Sequence, residues 1–225
     1  ALGISVATKF FPVLLLIPIL VIAVRSGKSP LRYLSFFAGS WLVINLPVAI
    51  TTPTGWWHFY KFNIERGPDW GSVWNALQTL GFNSGSTNYL ALLGTLAILS
   101  WVVVFLFGLK STPTLSEVAF IVFASALILG KVYSPQYALW LTALAVIAIR
   151  SKETLIVFWV WQMTELIYHI SIWEYLATIS NARFGLNQSF YGAIGLIRLA
   201  GSIAMIYSLA NALKKSRSTQ GKPWD

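Results

Sequence analysis

The chain has no cysteine, two histidines and few charges of either sign. Disulfides and thiolate metal sites are therefore excluded, and His58 and His169 are too few for a histidine metal cluster. Only 10% of the 225 residues are charged, against about 25% in an ordinary soluble domain. So few charges cannot cover a globule with a water-facing surface. What is present instead is apolar: 56% of residues are hydrophobic and the mean hydropathy is +0.68. The apolar residues come in long runs, and a run of about 20 matches the hydrocarbon thickness of a bilayer. The net charge of +9 would point to nucleic acid in a soluble chain. Here the basic residues fall between the apolar runs, so they read as orientation signals, and no nucleic-acid partner is expected.

Seven apolar segments can be drawn, over 2–24, 33–50, 89–109, 116–131, 136–149, 154–176 and 190–213. They predict an all-α, polytopic transmembrane helix bundle forming one domain over 1–225. Arg25, Lys28, Arg32, Lys110, Arg150, Lys152, Lys214, Lys215, Arg217 and Lys222 fall in connections that alternating spans put on one side. The positive-inside rule assigns that side to the cytoplasm. It gives a multi-pass protein of the plasma membrane with a cytoplasmic C-terminus. The opening ALGISVATKFFP lacks the basic region and cleavage site of a signal peptide. It reads as a chain that starts inside or beside a helix, a fragment without its first spans.

Two connections stand out. Residues 51–88 are rich in Trp, Phe and Tyr and carry Lys61, Glu65, Arg66 and Asp69. Such a stretch suits either an interfacial helix or a substrate platform. Gly67-Pro68 breaks any helix there, and Asp69 is a possible cap for a new one starting near Trp70. The second connection reads GKVYSPQYALW. Pro135 removes a backbone donor and disfavours helix at Ser134. A break at membrane depth needs protein or water around it, so Lys131, Tyr133, Ser134, Gln136 and Tyr137 become candidates to line a cavity.

Four ionisable groups fall inside spans: Lys9, Glu165, His169 and Arg198. A charge at the bilayer centre costs on the order of 3 kcal/mol on insertion scales. Two readings are open: a common outward-facing polar cavity that Lys9, Lys131 and Arg198 approach, or simple pairing, such as Glu165 with Arg198 or Lys9. Cations near a membrane surface with aromatic walls suit a lipid-linked phosphate.

The combination of GISVATKFFPVLLLIP, NLP at 45–47, FYKFNIERGPDWGSVW and KVYSPQYALWL resembles the C-terminal half of actinobacterial integral membrane glycosyltransferases. These have the GT-C fold, use polyprenyl-phosphate sugars and include mannosyltransferases. The resemblance covers about residues 3–150, and KVYSPQYALWL is its most specific piece. It implies transfer of a sugar, with mannose as one candidate, from a polyprenyl phosphate to a lipid or cell-envelope glycan on the extracytoplasmic side. The partners implied are membrane lipids, the donor and that acceptor. No cofactor is evident, and a metal requirement stays open. The family's catalytic carboxylate usually lies in a first outer loop that has no counterpart here, so the base is expected outside this chain. Inverting transfer also needs cations at the leaving phosphate. Lys131 and Arg66, then Lys9, are the expected ligands, with Tyr133, Gln136 and Arg198 completing the substrate-binding set. The alternative is a transporter or flippase, which intramembrane charges and a broken hairpin also fit.

Overall fold

The computed structural model describes residues 1–83 and 85–216; Arg217 and Lys222 of the basic tail lie outside these. The described residues form ten α-helices and a short 3₁₀ segment, with no strand. The helices are α1 (Leu2–Thr8), α2 (Leu16–Arg25), α3 (Pro30–Thr51), α4 (Pro53–Glu65), α5 (Val73–Thr79), α6 (Thr87–Gly108), α7 (Leu115–Leu129), α8 (Tyr137–Ala148), α9 (Lys152–Ile179) and α10 (Gln188–Ser216). Four of them, α3, α6, α9 and α10, are long and apolar enough to cross a membrane. Phe11–Arg25, α7 and α8 are shorter apolar helices. The expected all-α membrane bundle is thus the observed architecture.

Helix α7 is its centre. Every residue from Val118 to Ile128 is buried, between α6, α8, α10 and α2. A helix that is apolar all round belongs in such a place. Its start is fixed by a capping box: the backbone N–H of Thr114 donates to the Glu117 carboxylate at 2.7 Å. Helix α3 is also apolar but has no buried residue. It packs on α1, α2 and α4 and turns Leu31, Phe36, Val43 and Ile50 outward, as a lipid-facing helix would.

The pairing of α9 with α10 is the most extensive in the molecule. On α9 the buried residues Trp161, Glu165, Tyr168, Ile172 and Tyr175 recur every three or four positions, which sets them along one stripe. Tyr191, Arg198, Ser202 and Met205 repeat the pattern on α10. Small residues let the helices close on each other: a Cβ on Gly201 would strike Thr164, and one on Gly192 would strike Thr79 of α5.

Two expectations need correction. The first apolar segment is not one span over 2–24. Helix α1 stops after Thr8, Lys9 is extended, and the chain restarts as a 3₁₀ turn at Phe11–Leu15 before α2. Pro12, which lacks a backbone donor, sits at the opening of the 3₁₀ turn, where no donor is needed. The chain folds back here, since Gly3 and Ile19 line the same cavity. The second correction concerns the cap of α5. Ser72 caps it, accepting from the Asn75 N–H at 3.1 Å. Asp69 stands three residues before that cap, and its carboxylate accepts from the Ser134 hydroxyl at 2.6 Å.

Successive long helices reverse direction, so the connections gather at two ends. At one, the Arg25 guanidinium donates to the Leu106 and Leu109 carbonyls, and Lys214 lies over the Phe105 ring. We call this the basic end. At the other, Lys131 reaches α4 and α6; this is the aromatic end. The stretch 51–88 divides there. Helix α4 is largely exposed and has no buried residue, whereas residues 71–80 turn inward and pack α5 on α10.

Candidate functional site

Two polar constellations sit toward the aromatic end, one closed and one open. The closed one is built around Arg198. This residue is ten positions into α10, about 15 Å along the helix axis, and its exposure is 0%. Its Nε donates to Glu165 Oε2 at 2.8 Å. Its Nη1 donates to the Tyr133 carbonyl at 2.9 Å and to the Gly71 carbonyl at 3.4 Å. The other Glu165 oxygen accepts from the Tyr133 hydroxyl at 2.9 Å, which also lies 3.0 Å from the Ser202 hydroxyl. The guanidinium carbon stands 3.7 Å from the ring centroid of Tyr133 and 4.2 Å from that of Tyr168, so π faces cover it where hydrogen bonds do not.

This cluster needs the two irregular segments to come close. The break at 130–136 supplies the Tyr133 carbonyl, freed by the loss of helix. Residues 66–72 supply that of Gly71. A Cβ at position 71 would collide with the Tyr133 carbonyl oxygen, so glycine is required by close approach. Around the ion pair, Tyr168 and Tyr191 share a hydrogen bond of 2.8 Å, and the Tyr191 hydroxyl donates to the Trp70 carbonyl at 2.9 Å. The stacked rings of Tyr175 and Tyr191 extend the wall.

Arg198 therefore does not line an outward-facing cavity with Lys9 and Lys131. Pairing with Glu165, the alternative weighed on the sequence, is what neutralises it. A buried guanidinium without a carboxylate would be strongly unfavourable. Tyr133 is likewise surrounded by protein, with 0% exposure. His169 stays on the rim of α9, its Nδ1 2.8 Å from the Glu165 carbonyl oxygen.

Lys131 is spoken for as well. Its ammonium donates to the carbonyls of Ile64 (2.6 Å) and Arg66 (3.1 Å) and to Asn88 Oδ1 (3.0 Å). An ammonium has three donors, and all three are used. The lysine fastens the C-terminal end of α4 to the start of α6. Partial burial, and then the Arg66 charge, hold its pKa below the ordinary lysine value.

The open constellation is made of the remaining expected residues. Lys9 is exposed at the end of α1, with its ammonium 4.1 Å from the ring centroid of Trp140 and 5.9 Å from that of Tyr137. Phe11 stacks on Tyr137 from the 3₁₀ turn. Asp69 links Arg66 to this region, since its carboxylate also accepts from Ser134, three residues before Tyr137. Arg66 and Asp69 approach each other only loosely, at 3.9 Å. Gln136, exposed, precedes Tyr137 at the start of α8. Lys9 and Gln136 thus lie beside Tyr137, with Arg66 reaching the same break through Asp69, while Lys131, Tyr133 and Arg198 are drawn into structure. Sequence reasoning missed Gly71, Tyr168 and Ser202. The residue types gave no sign of them, although the period of the α9 and α10 stripes holds Tyr168 and Ser202.

Such a face can bind an anion: two cations and an amide stand beside exposed rings. Among the described residues no group of three or more His, Cys, Asp or Glu is arranged to hold a metal ion. Comparison with protein-family models, curated proteins and solved structures returns no match for this chain.

Proposed function

We propose that this chain is part of a membrane glycosyltransferase of the kind it resembles, taking a sugar from a polyprenyl phosphate at the aromatic end and passing it to a lipid or cell-envelope glycan. In this reading the aromatic end faces outward from the plasma membrane. The observation that carries it is the Lys9 ammonium over the rings of Trp140 and Tyr137, with Gln136 next to Tyr137 in the chain and Arg66 tied to the same break through Asp69 and Ser134. The departing phosphate gains negative charge as the sugar leaves, and fixed cations stabilise that charge. Arg66 offers a fork of donors and Lys9 a point charge. The exposed rings suit the headgroup layer in which such a phosphate sits. Deprotonation of the acceptor hydroxyl requires a base. Asp69 is not assigned that role, because its carboxylate holds Ser134 and faces Arg66.

The test uses the natural full-length protein in membranes supplied with a labelled polyprenyl-phosphate sugar, beginning with mannose. Wild-type protein transfers the label to lipid or glycan. The variant Lys9→Gln with Arg66→Gln raises the apparent KM for the donor on the order of tenfold or more, as expected for lost charge-assisted contacts. Failure of wild-type protein to transfer from any polyprenyl sugar defeats the reading. Movement of a lipid or solute across proteoliposomes without transfer supports the transporter instead.

A further inference from the structure

The basic end carries a feature that sugar transfer does not use. A groove of about 560 Å³ opens between the start of α9 and the end of α10. Among the described residues, Arg150 and Lys215 line it with one carboxylate, Glu153, and with Tyr207, Ser208 and Asn211 along its wall. Lys152 and Lys214 adjoin it in sequence and add positive charge. The helices themselves create the opening. They meet tightly at Gly201 and Thr164, and small residues, Ala204 and Ala212, leave room beyond that point. The hydroxyls of Ser151, Thr154 and Ser208 are spent on one another, at 3.1 Å from Ser151 to Thr154 and from Ser208 to Thr154. The side chains of Tyr207 and Asn211 have no hydrogen-bond partner among the described residues. Both residues line the groove together with Arg150 and Lys215.

We infer that this groove binds the phosphate headgroup of an anionic phospholipid, with an acyl chain lying along the α9–α10 seam. Charge complementarity favours an anion: among the described residues two cations and one carboxylate line the groove, and the flanking residues add two more lysines. The position favours a lipid over a soluble ligand. Val157 and Ala204 floor the groove, and Val160 and Ile203 continue outward from it as exposed apolar residues. A headgroup seated at Arg150 and Lys215 therefore has hydrocarbon surface beneath it. Tyr207, exposed on α10, suits the boundary between headgroups and chains. Basic groups at a membrane surface attract anionic lipid in this way.

The inference stands apart from sugar transfer, and its test has no activity readout. Native mass spectrometry of the purified protein in mixed phosphatidylglycerol and phosphatidylcholine compares the lipids that stay bound. Wild-type protein retains phosphatidylglycerol over phosphatidylcholine on the order of tenfold. Arg150→Gln with Lys215→Gln brings the two lipids to parity, while Lys28→Gln with Arg32→Gln keeps the preference. Should the first pair not insert, Ala212→Phe, which fills the groove without changing charge, gives the same loss. Equal retention by wild-type protein, or an unchanged preference in both groove variants, overturns the site. A rise in melting temperature with inorganic phosphate in lipid-free detergent, without phosphatidylglycerol retention, assigns the groove to a free anion and also overturns it.

Discussion

Arg198 and Lys9 are both cations in apolar sequence, and their surroundings are opposite. Arg198 has a carboxylate, two carbonyls and two aromatic faces around it, and no exposure. Among the described residues, the Lys9 ammonium has the rings of Trp140 and Tyr137 beside it, and Lys9 stands exposed. The difference teaches that a charge inside a span is a question of neutralisation before it is one of function. Where a carboxylate is within reach on the neighbouring stripe, the charge closes into structure. Where only aromatic faces are near, it keeps its capacity for an outside anion.

The sharpest way to break this comparison is at Glu165. Glu165→Ala leaves the Arg198 guanidinium buried and unpaired, and the expected loss is about 3–5 kcal/mol, read as the shift in an SDS unfolding titration. Replacing both partners, as Glu165→Leu with Arg198→Met, recovers only part of it: no buried charge remains, but the Gly71 and Tyr133 carbonyls lose their donor. A single variant as stable as wild type means that the cluster is not closed. Next comes Gly71→Ala, whose methyl meets the Tyr133 carbonyl; it costs about 1–3 kcal/mol by overpacking in the same titration. A third variant, Lys131→Gln, removes three hydrogen bonds at a half-exposed site. It lowers stability by about 1 kcal/mol and leaves the KM for a polyprenyl donor within twofold; a large rise in KM at unchanged stability returns Lys131 to the phosphate. The smallest effect on folding belongs to Lys9→Gln, which leaves the unfolding midpoint at its wild-type value. A loss there as large as that of Glu165→Ala erases the contrast.

Much of this was legible in the residues. Apolar runs announced the helices, and Pro135 with the preceding KVYS announced the break after α7, observed between Leu129 and Tyr137. The pair Glu165–Arg198 could be named as one of two readings, because buried charges must find partners. Three things could not be read. The turn at Lys9 depends on where α1 docks against α3, and Pro12 alone permits a helix start as well as a kink. Asp69 looked like a cap because nothing in the sequence revealed Ser134 as its partner across 65 residues. Lys131 looked free because its three acceptors are two main-chain carbonyls and one amide, drawn from connections far away in sequence. Main-chain carbonyls exist at every residue, so their use leaves no mark on composition.

The Arg198 cluster also has a mechanical meaning. One guanidinium is fastened to α9 through Glu165, to the 66–72 segment through Gly71 and to the 130–136 break through Tyr133. Turning α10 about its axis by a single residue, about 100°, would withdraw it from all three at once. The aromatic end therefore has no intermediate loosening available at this point: these segments and both long helices are held in register together or released together. A movement of the aromatic end that leaves this rivet whole therefore keeps α9, α10 and both irregular segments in register with one another.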